Sequence, residues 1–450
     1  MKIHSTTVFI IFLAILAVLL GYNYFATPFY NRFHQPQQLA TNDEKFATDA
    51  VDPLADIFDQ LSSDQKIGLL MSYPYIIGQE SEDAFQPESD SQDNNLEETT
   101  ISHSSANGLS AQQTALKNFQ PGFILFFGSD IPLDLAQQEI DRINQIFEES
   151  FFHPLYLVDH EGRGAQRFSG EGFTLLSPWR EMCEKREVEQ LDELISSATE
   201  LRQLGINIVL APVLDVDSSV LGSRSCADGA KTFSAAKKYI EVFGNHQIIP
   251  VVKHFPGLGS LTKDLHFSSD VIDFPKEEIE IFAEIFDLYP NIGVMTSHVQ
   301  LENRLQNLPC SLSQDCILSF SQSYPDLLVF SDALDMRALA SFEKIDYWPE
   351  INEADQLPGF DLVGTQAASL RVDDSTEFEE TNLVDISFGG LSRISYLALL
   401  AGNDVLLYGR DVEFEEFQTI RQDLVQVYEK DASFAQQVDQ SVMKILSLRY

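Results

Sequence analysis

The sequence predicts an α/β protein, a (β/α)8 TIM-type barrel, on three observations. Short apolar runs alternate with amphipathic stretches from residue 55 to the C-terminus. The runs are apolar on both faces, as strands are when helices cover both sides of a parallel sheet. Several runs end in a charged or imidazole side chain, which is where this fold carries chemistry. A chain of 450 residues suits one such barrel with insertions.

The elements follow in order. Residues 1–25 contain "TTVFIIFLAILAVLLGYNYF" (6–25), an uncharged run preceded by Lys2 and His4. Its length is near the ~20 residues that span a bilayer, so it is read as a membrane anchor or signal segment. The acidic chain after it is expected outside the cytoplasm, at the cell envelope. Residues 26–54 are polar and rich in Pro and Gln, a linker. "LADIFDQLSSDQKIGLLMSYPYI" (54–76) has helical spacing and then a strand-like end.

Acidic insertions are expected at about 79–113 and 341–390; residues 80–98 alone carry eight acidic side chains and no Lys or Arg. Strands are predicted at 122–128, 154–159, 206–217, 248–255, 292–298, 327–332 and 404–409. Helices are predicted at 133–150, 189–205, 235–247 and 278–290. The strand ends hold Asp159, Asp215, Lys253, His254, His298 and Asp332.

The net charge of −40 and pI near 4.3 argue against nucleic-acid binding, because such a surface repels phosphates. "VDHEGRGAQRF" has neither the dinucleotide nor the P-loop glycine spacing. The four cysteines (Cys183, Cys226, Cys310, Cys316) show no Cys-x-x-Cys spacing, leaving buried thiols or disulfides open.

Two stretches carry the candidate chemistry. "LLVFSDALDM" places Asp332 at a strand end. There it either caps a helix, or attacks an anomeric carbon as a nucleophile. "KHFPGLGSLTKDLH" (253–266) places Lys253, His254, Asp264 and His266 in fourteen residues. Its glycines and proline mark a loop, so Asp264 is free to orient the His266 imidazole. A histidine near its ordinary pKa of ~6.5 can donate and accept protons. The alternatives are an exposed pair without a role, or metal ligation by His254, Asp264 and His266, whose spacing fits no common motif. Lys253, His254 and Asp159 around one cavity could hold sugar hydroxyls.

The set "VDHEGRGAQRF" (158–168), "GINIVLAPVLDVD" (205–217), "VLGSRS" (220–225), "KHFPGLGSLTKDLH", "MTSHV" (295–299) and "VFSDALDM" (329–336) resembles glycoside hydrolase family 3, specifically its β-N-acetylglucosaminidase branch. The resemblance covers roughly residues 55–450 as a single catalytic barrel domain. It implies a retaining two-step mechanism, with Asp332 as nucleophile and His266 as acid/base partnered by Asp264. It also implies that Asp159, Arg167, Arg224, Lys253 and His254 bind the terminal sugar. The sequence departs from the family pattern at Leu258, where a loop histidine is usual, at Gly162-Arg163-Gly164 and at Leu265.

The expectation is therefore an exo-acting retaining β-N-acetylhexosaminidase. Its substrate would be an amino-sugar oligosaccharide, from peptidoglycan fragments (muropeptides) or chitin-type chains. It would be a monomer without metal or other cofactor, tied to the membrane by its N-terminal segment. The rivals are an inactive glycan-binding barrel and a β-glucosidase of the same fold, with phosphorolysis as a variant of the reaction.

Overall fold

The structure, a computed structural model, describes residues 53–78, 109–302, 308–343 and 389–449. The predicted anchor, nearly all of the linker and most of both acidic insertions lie outside these residues. Ala111–Phe119 is a helix that begins inside the first predicted insertion, capped reciprocally by Ser110 and Gln113. Among the described residues no helix is long and apolar enough to cross a membrane.

Seven parallel strands form the main sheet in chain order: β1 (Ser72–Ile76), β2 (Phe123–Phe127), β3 (Leu155–Val158), β4 (Ile208–Val209), β5 (Ile249–Phe255), β7 (Gly293–Thr296) and β9 (Leu328–Ser331). β6 (Val271–Ile272) and β8 (Gln300–Leu301) pair separately as a two-stranded parallel sheet. Helices at Leu133–Ile146, Glu187–Leu204, Gly229–Asn245 and Lys276–Leu288 follow β2, β3, β4 and β6. Their apolar sides face the sheet; in Lys276–Leu288, Ile279, Phe282, Ile285 and Phe286 are buried at helical spacing. Phe123 and Phe330 meet edge-on with ring centroids 6.2 Å apart, within the one continuous core.

The prediction of eight strands closing a (β/α)8 barrel is corrected. The α/β alternation is present, but the sheet is a curled one of seven strands. The expected strand at 404–409 makes only single parallel bridges, Leu406 to Met71 and Val405 to Phe330. The reason is local. The Asp404 carboxylate, itself 1% exposed, takes the Val329 N–H at 2.9 Å and also accepts from Ser441 and Lys444. A side chain thus occupies a donor that a longer ladder would use. The neighbouring Asn403 ties this segment to its surroundings, donating to the Ser311 and Ala398 carbonyls and accepting from the Thr296 hydroxyl at the end of β7. The strand predicted over 206–217 is also shorter, with a ladder at Ile208–Val209 and, past it, a single parallel bridge from Val213 to Lys253. Pro212 offers no N–H to extend it.

Both cysteine pairs are disulfides, Cys183–Cys226 and Cys310–Cys316, which resolves the alternative left open by the sequence.

Replacing Asp404 by Ala strands the Val329 N–H and the Lys444 ammonium. The expected loss is about 2–4 kcal/mol of unfolding free energy in urea titrations. A loss below about 0.5 kcal/mol would contradict the linking role given to Asp404.

Candidate active site

The C-terminal ends of β3 and β5 meet in a network of buried charge. Asp159 is the first residue past β3. Its two oxygens accept from Lys253 Nζ and from Arg167 Nη2, each at 3.0 Å. Glu161, two residues on and 3% exposed, takes Arg224 in a fork of 2.6 and 2.8 Å. Lys253 Nζ also lies 2.5 Å from Glu161 Oε1. Lys253, in β5, therefore bridges two carboxylates that belong to one loop.

Burial alone would raise the carboxyl pKa of Asp159. Lys253 and Arg167 outweigh it and hold Asp159 well below the usual carboxylate range. Glu161 is likewise pushed up by burial, but Arg224 and Lys253 bring it down to about 2. For Lys253, burial works against the ammonium, and Asp159 and Glu161 reverse this, leaving it above its ordinary value. Each ion is charged at neutral pH because its partners are.

His254 follows Lys253 in β5 and is turned to a different partner. Its Nδ1 is 2.7 Å from Asp215 Oδ2, and the fully buried Asp215 also accepts the Leu258 N–H at 2.7 Å. Asp215 thus orients the ring and fixes the start of the next loop. Gly257 and Gly259 of that loop pass against Glu278, and a Cβ at either position would run into it. Gly259 N–H donates to Glu278 Oε1 at 3.0 Å.

The same loop carries Asp264 and His266. Asp264 Oδ1 accepts the His266 N–H at 2.9 Å and faces His266 Nδ1 at 2.8 Å. Partial burial pushes the Asp264 carboxyl up, but these bonds from His266 leave it below its usual value. The side chains are 45% and 61% exposed. With Nδ1 engaged by the carboxylate, Nε2 is the ring atom left for proton transfer.

Asp332 stands directly after β9. Its N–H donates to the Thr296 carbonyl at 2.9 Å and its Oδ1 accepts the Ala333 N–H at 2.8 Å. The helix-cap reading is corrected: the 3-10 helix that follows is Arg337–Phe342, with Met336 at its N-cap. The half-buried carboxyl would be pushed up by desolvation. His298, His254, the Ala333 N–H and Lys253 instead hold it below its usual value, so it is ionised. His298, fully buried, has Nε2 2.8 Å from the Ala333 carbonyl and Nδ1 2.7 Å from Ser311 Oγ. A carbonyl only accepts, so Nε2 carries the proton. Burial lowers the His298 pKa despite Asp332 nearby.

The structure thus gathers Asp159, Arg167, Arg224 and Lys253 in one network, pairs His254 with Asp215, and pairs Asp264 with His266. It separates His254 from the metal set suggested with Asp264 and His266. Among the described residues no group of three His, Cys, Asp or Glu is arranged to hold a metal ion. Sequence reading passed over Glu161, whose signal was an acid two residues beyond the strand-end Asp159. It also passed over Asp270, discussed below. Cys226, two residues from Arg224, fastens that segment to Cys183 beside Trp179, whose Nε1 donates to the Val213 carbonyl at 2.8 Å.

Comparison with known proteins matches this arrangement to a family. The model described as "Glycosyl hydrolase family 3 N terminal domain" matches residues 95–349, more than half of the chain. The chain is 31% identical over 217 residues to "Beta-hexosaminidase LpqI" of Mycobacterium tuberculosis, covering 46% of this chain and 54% of that protein. It is 33% identical over 256 residues to a "Beta-hexosaminidase" of Shewanella frigidimarina, covering 52% and 72%. The match with LpqI therefore spans about half of that relative's length. In structure it is similar to M. tuberculosis LpqI, with a TM-score of 0.59, 22% identity and coverage of 88% and 96%. It is also similar to a β-N-acetylhexosaminidase from Beutenbergia cavernae, with a TM-score of 0.61, 18% identity and coverage of 86% and 98%.

The depressed carboxyls of Asp159 and Glu161 give a signed prediction. Their contribution to stability is complete above their unfolded values and is lost as pH falls toward the folded ones, below about 4.5 and down to about 2 for Glu161. Glu161→Gln is expected to lose roughly 3–5 kcal/mol at pH 7 and to show a shallower acid loss in urea unfolding. An unchanged acid slope would contradict the network.

With the matched residues spanning β2 through β9 and all of these strand-end groups, the chain belongs to glycoside hydrolase family 3.

Proposed function

We propose that the chain is an exo-acting retaining β-N-acetylhexosaminidase that removes terminal β-linked N-acetylglucosamine from peptidoglycan fragments or chitin-type oligosaccharides. The observation that carries this reading is Asp332: an ionised, half-buried carboxylate at a strand end that, among the described residues, is committed to no helix cap and no salt bridge. The names of the relatives support the amino-sugar specificity.

In the first step an Asp332 oxygen attacks the anomeric carbon and the glycosidic bond breaks. His266 Nε2 gives its proton to the leaving oxygen, while Asp264 stabilises the imidazolium through Nδ1. In the second step His266 takes a proton from water, whose oxygen displaces Asp332. Asp159, Arg167, Arg224, Lys253 and His254 hold the hydroxyls of the terminal sugar. The fixed pairing of these groups means that they need little rearrangement when substrate arrives. We place the catalytic domain outside the cytoplasm behind the N-terminal segment and read it as a monomer; the two disulfides support an oxidising compartment.

Purified protein should release the aryl group from an aryl N-acetyl-β-glucosaminide and leave the corresponding β-glucoside almost untouched. Asp332→Asn should fall to background with its folding intact. His266→Ala should lose roughly 10²-fold or more on substrates with poor leaving groups. Full activity in Asp332→Asn would sink the assignment. Oligosaccharide binding without release by the wild type would make the chain a glycan-binding protein instead.

A further inference from the structure

The loop between β5 and β6 holds the proposed acid/base pair on an irregular stretch of chain, yet it is tied down at both ends. At its base lies Asp270, 6% exposed. Asp270 Oδ2 accepts from Thr262 N–H at 2.7 Å, from Lys263 N–H at 3.0 Å and from the Thr262 hydroxyl at 2.9 Å. Oδ1 accepts the Val271 N–H at 3.1 Å. Every one of these partners is a donor, so only an acceptor-only side chain satisfies them all. An Asn of the same shape would turn an NH₂ group toward N–H donors. The Asp270 carbonyl accepts the Gln300 N–H at 3.1 Å, next to the β6–β8 pairing.

At the tip, Leu265 separates Asp264 from His266 and is 3% exposed. Its carbonyl accepts from Ala338 N–H at 3.2 Å, in the 3-10 helix that follows Asp332. Leu258 and Leu261 are buried to the same degree. Two of these leucines, 258 and 265, are the positions where the sequence departs from the family pattern. The loop therefore sinks apolar side chains inward while Asp264 and His266 remain in reach of solvent.

We propose that Asp270 is a positioning residue for proton transfer: its carboxylate closes residues 262–270 into a fixed loop that sets His266 over the leaving-group oxygen. Asp270 touches no substrate. It acts through the backbone of Thr262 and Lys263, which sets where Asp264 and His266 begin. This role rests on the glycosidase reading above.

The test uses the full chain with two substrates. One is 2,4-dinitrophenyl N-acetyl-β-glucosaminide, whose leaving group needs no proton. The other is N,N′-diacetylchitobiose, whose leaving group does. Asp270→Asn should lower kcat/KM on the disaccharide roughly 10- to 100-fold, mainly through kcat, and on the dinitrophenyl substrate by about threefold at most. Thr262→Val, which removes only the hydroxyl donor, should show the same leaving-group dependence with a smaller loss, and it serves if Asp270→Asn does not fold.

Equal losses on both substrates, or no loss, in the folded variants would overturn the positioning role, provided that His266→Ala shows the dependence. A His266→Ala chain that loses equally on both, or a wild type inactive on both, would overturn the glycosidase reading and the role of Asp270 with it.

Discussion

A lysine ammonium almost withdrawn from water, its side chain 3% exposed, has to be met by negative charge. Lys253 is met twice, by Asp159 and Glu161, and each of those carboxylates carries an arginine of its own. The bridge joins the end of β3 to β5 across the two-residue β4. The order of the sheet and the position of the loop after β3 are thereby constrained together. Removing Lys253 would leave each carboxylate with only its arginine, and removing either carboxylate would take one of the two counter-charges from the buried ammonium, so Lys253, Asp159 and Glu161 depend on one another.

Around this fixed charge the site divides by exposure. The groups proposed to grip the sugar are buried or half-buried and paired. The groups proposed to move protons sit on a loop whose side chains reach solvent. That division suits the chemistry. Binding groups gain from pre-organisation in a dry setting, and a proton donor has to exchange with water between its two steps. The loop nonetheless needs restraint, which Asp270 and three inward leucines supply. The half-buried Asp332 carboxyl, directly after β9, is kept below its usual value by nearby His298, His254 and Lys253.

Much of this was legible in the sequence because strand-end chemistry is local. An apolar run followed by Asp159, Lys253 or Asp332 reads as a strand delivering a side chain; the structure places Asp159 and Asp332 just beyond their strands and Lys253 inside β5, two residues before its end. The closure of the sheet was not legible. "DVLLYG" has a strand's composition, and only the tertiary contacts of Asp404 with Val329, Ser441 and Lys444 show why it forms bridges rather than a strand. Pro212 in "APVLDVD" was a visible sign that the run at 206–217 would break early. The partnership of Arg224 with Glu161 spans 63 positions, and that of His254 with Asp215 spans 39. No local pattern encodes such pairings. Nor does any local pattern mark Asp270, an ordinary acid in "SSD" until the loop folds back on it.

The central claim is that Asp332 forms a bond to the sugar. The most direct measurement is mass spectrometry of the protein after incubation with a 5-fluoro N-acetyl-β-glucosaminyl fluoride, which slows breakdown of a glycosyl-enzyme, followed by peptide mapping. The account predicts one added sugar mass on the peptide that contains Asp332, and none in Asp332→Asn. An adduct on another residue, or turnover of the unmodified substrate with no adduct at any time, would contradict it.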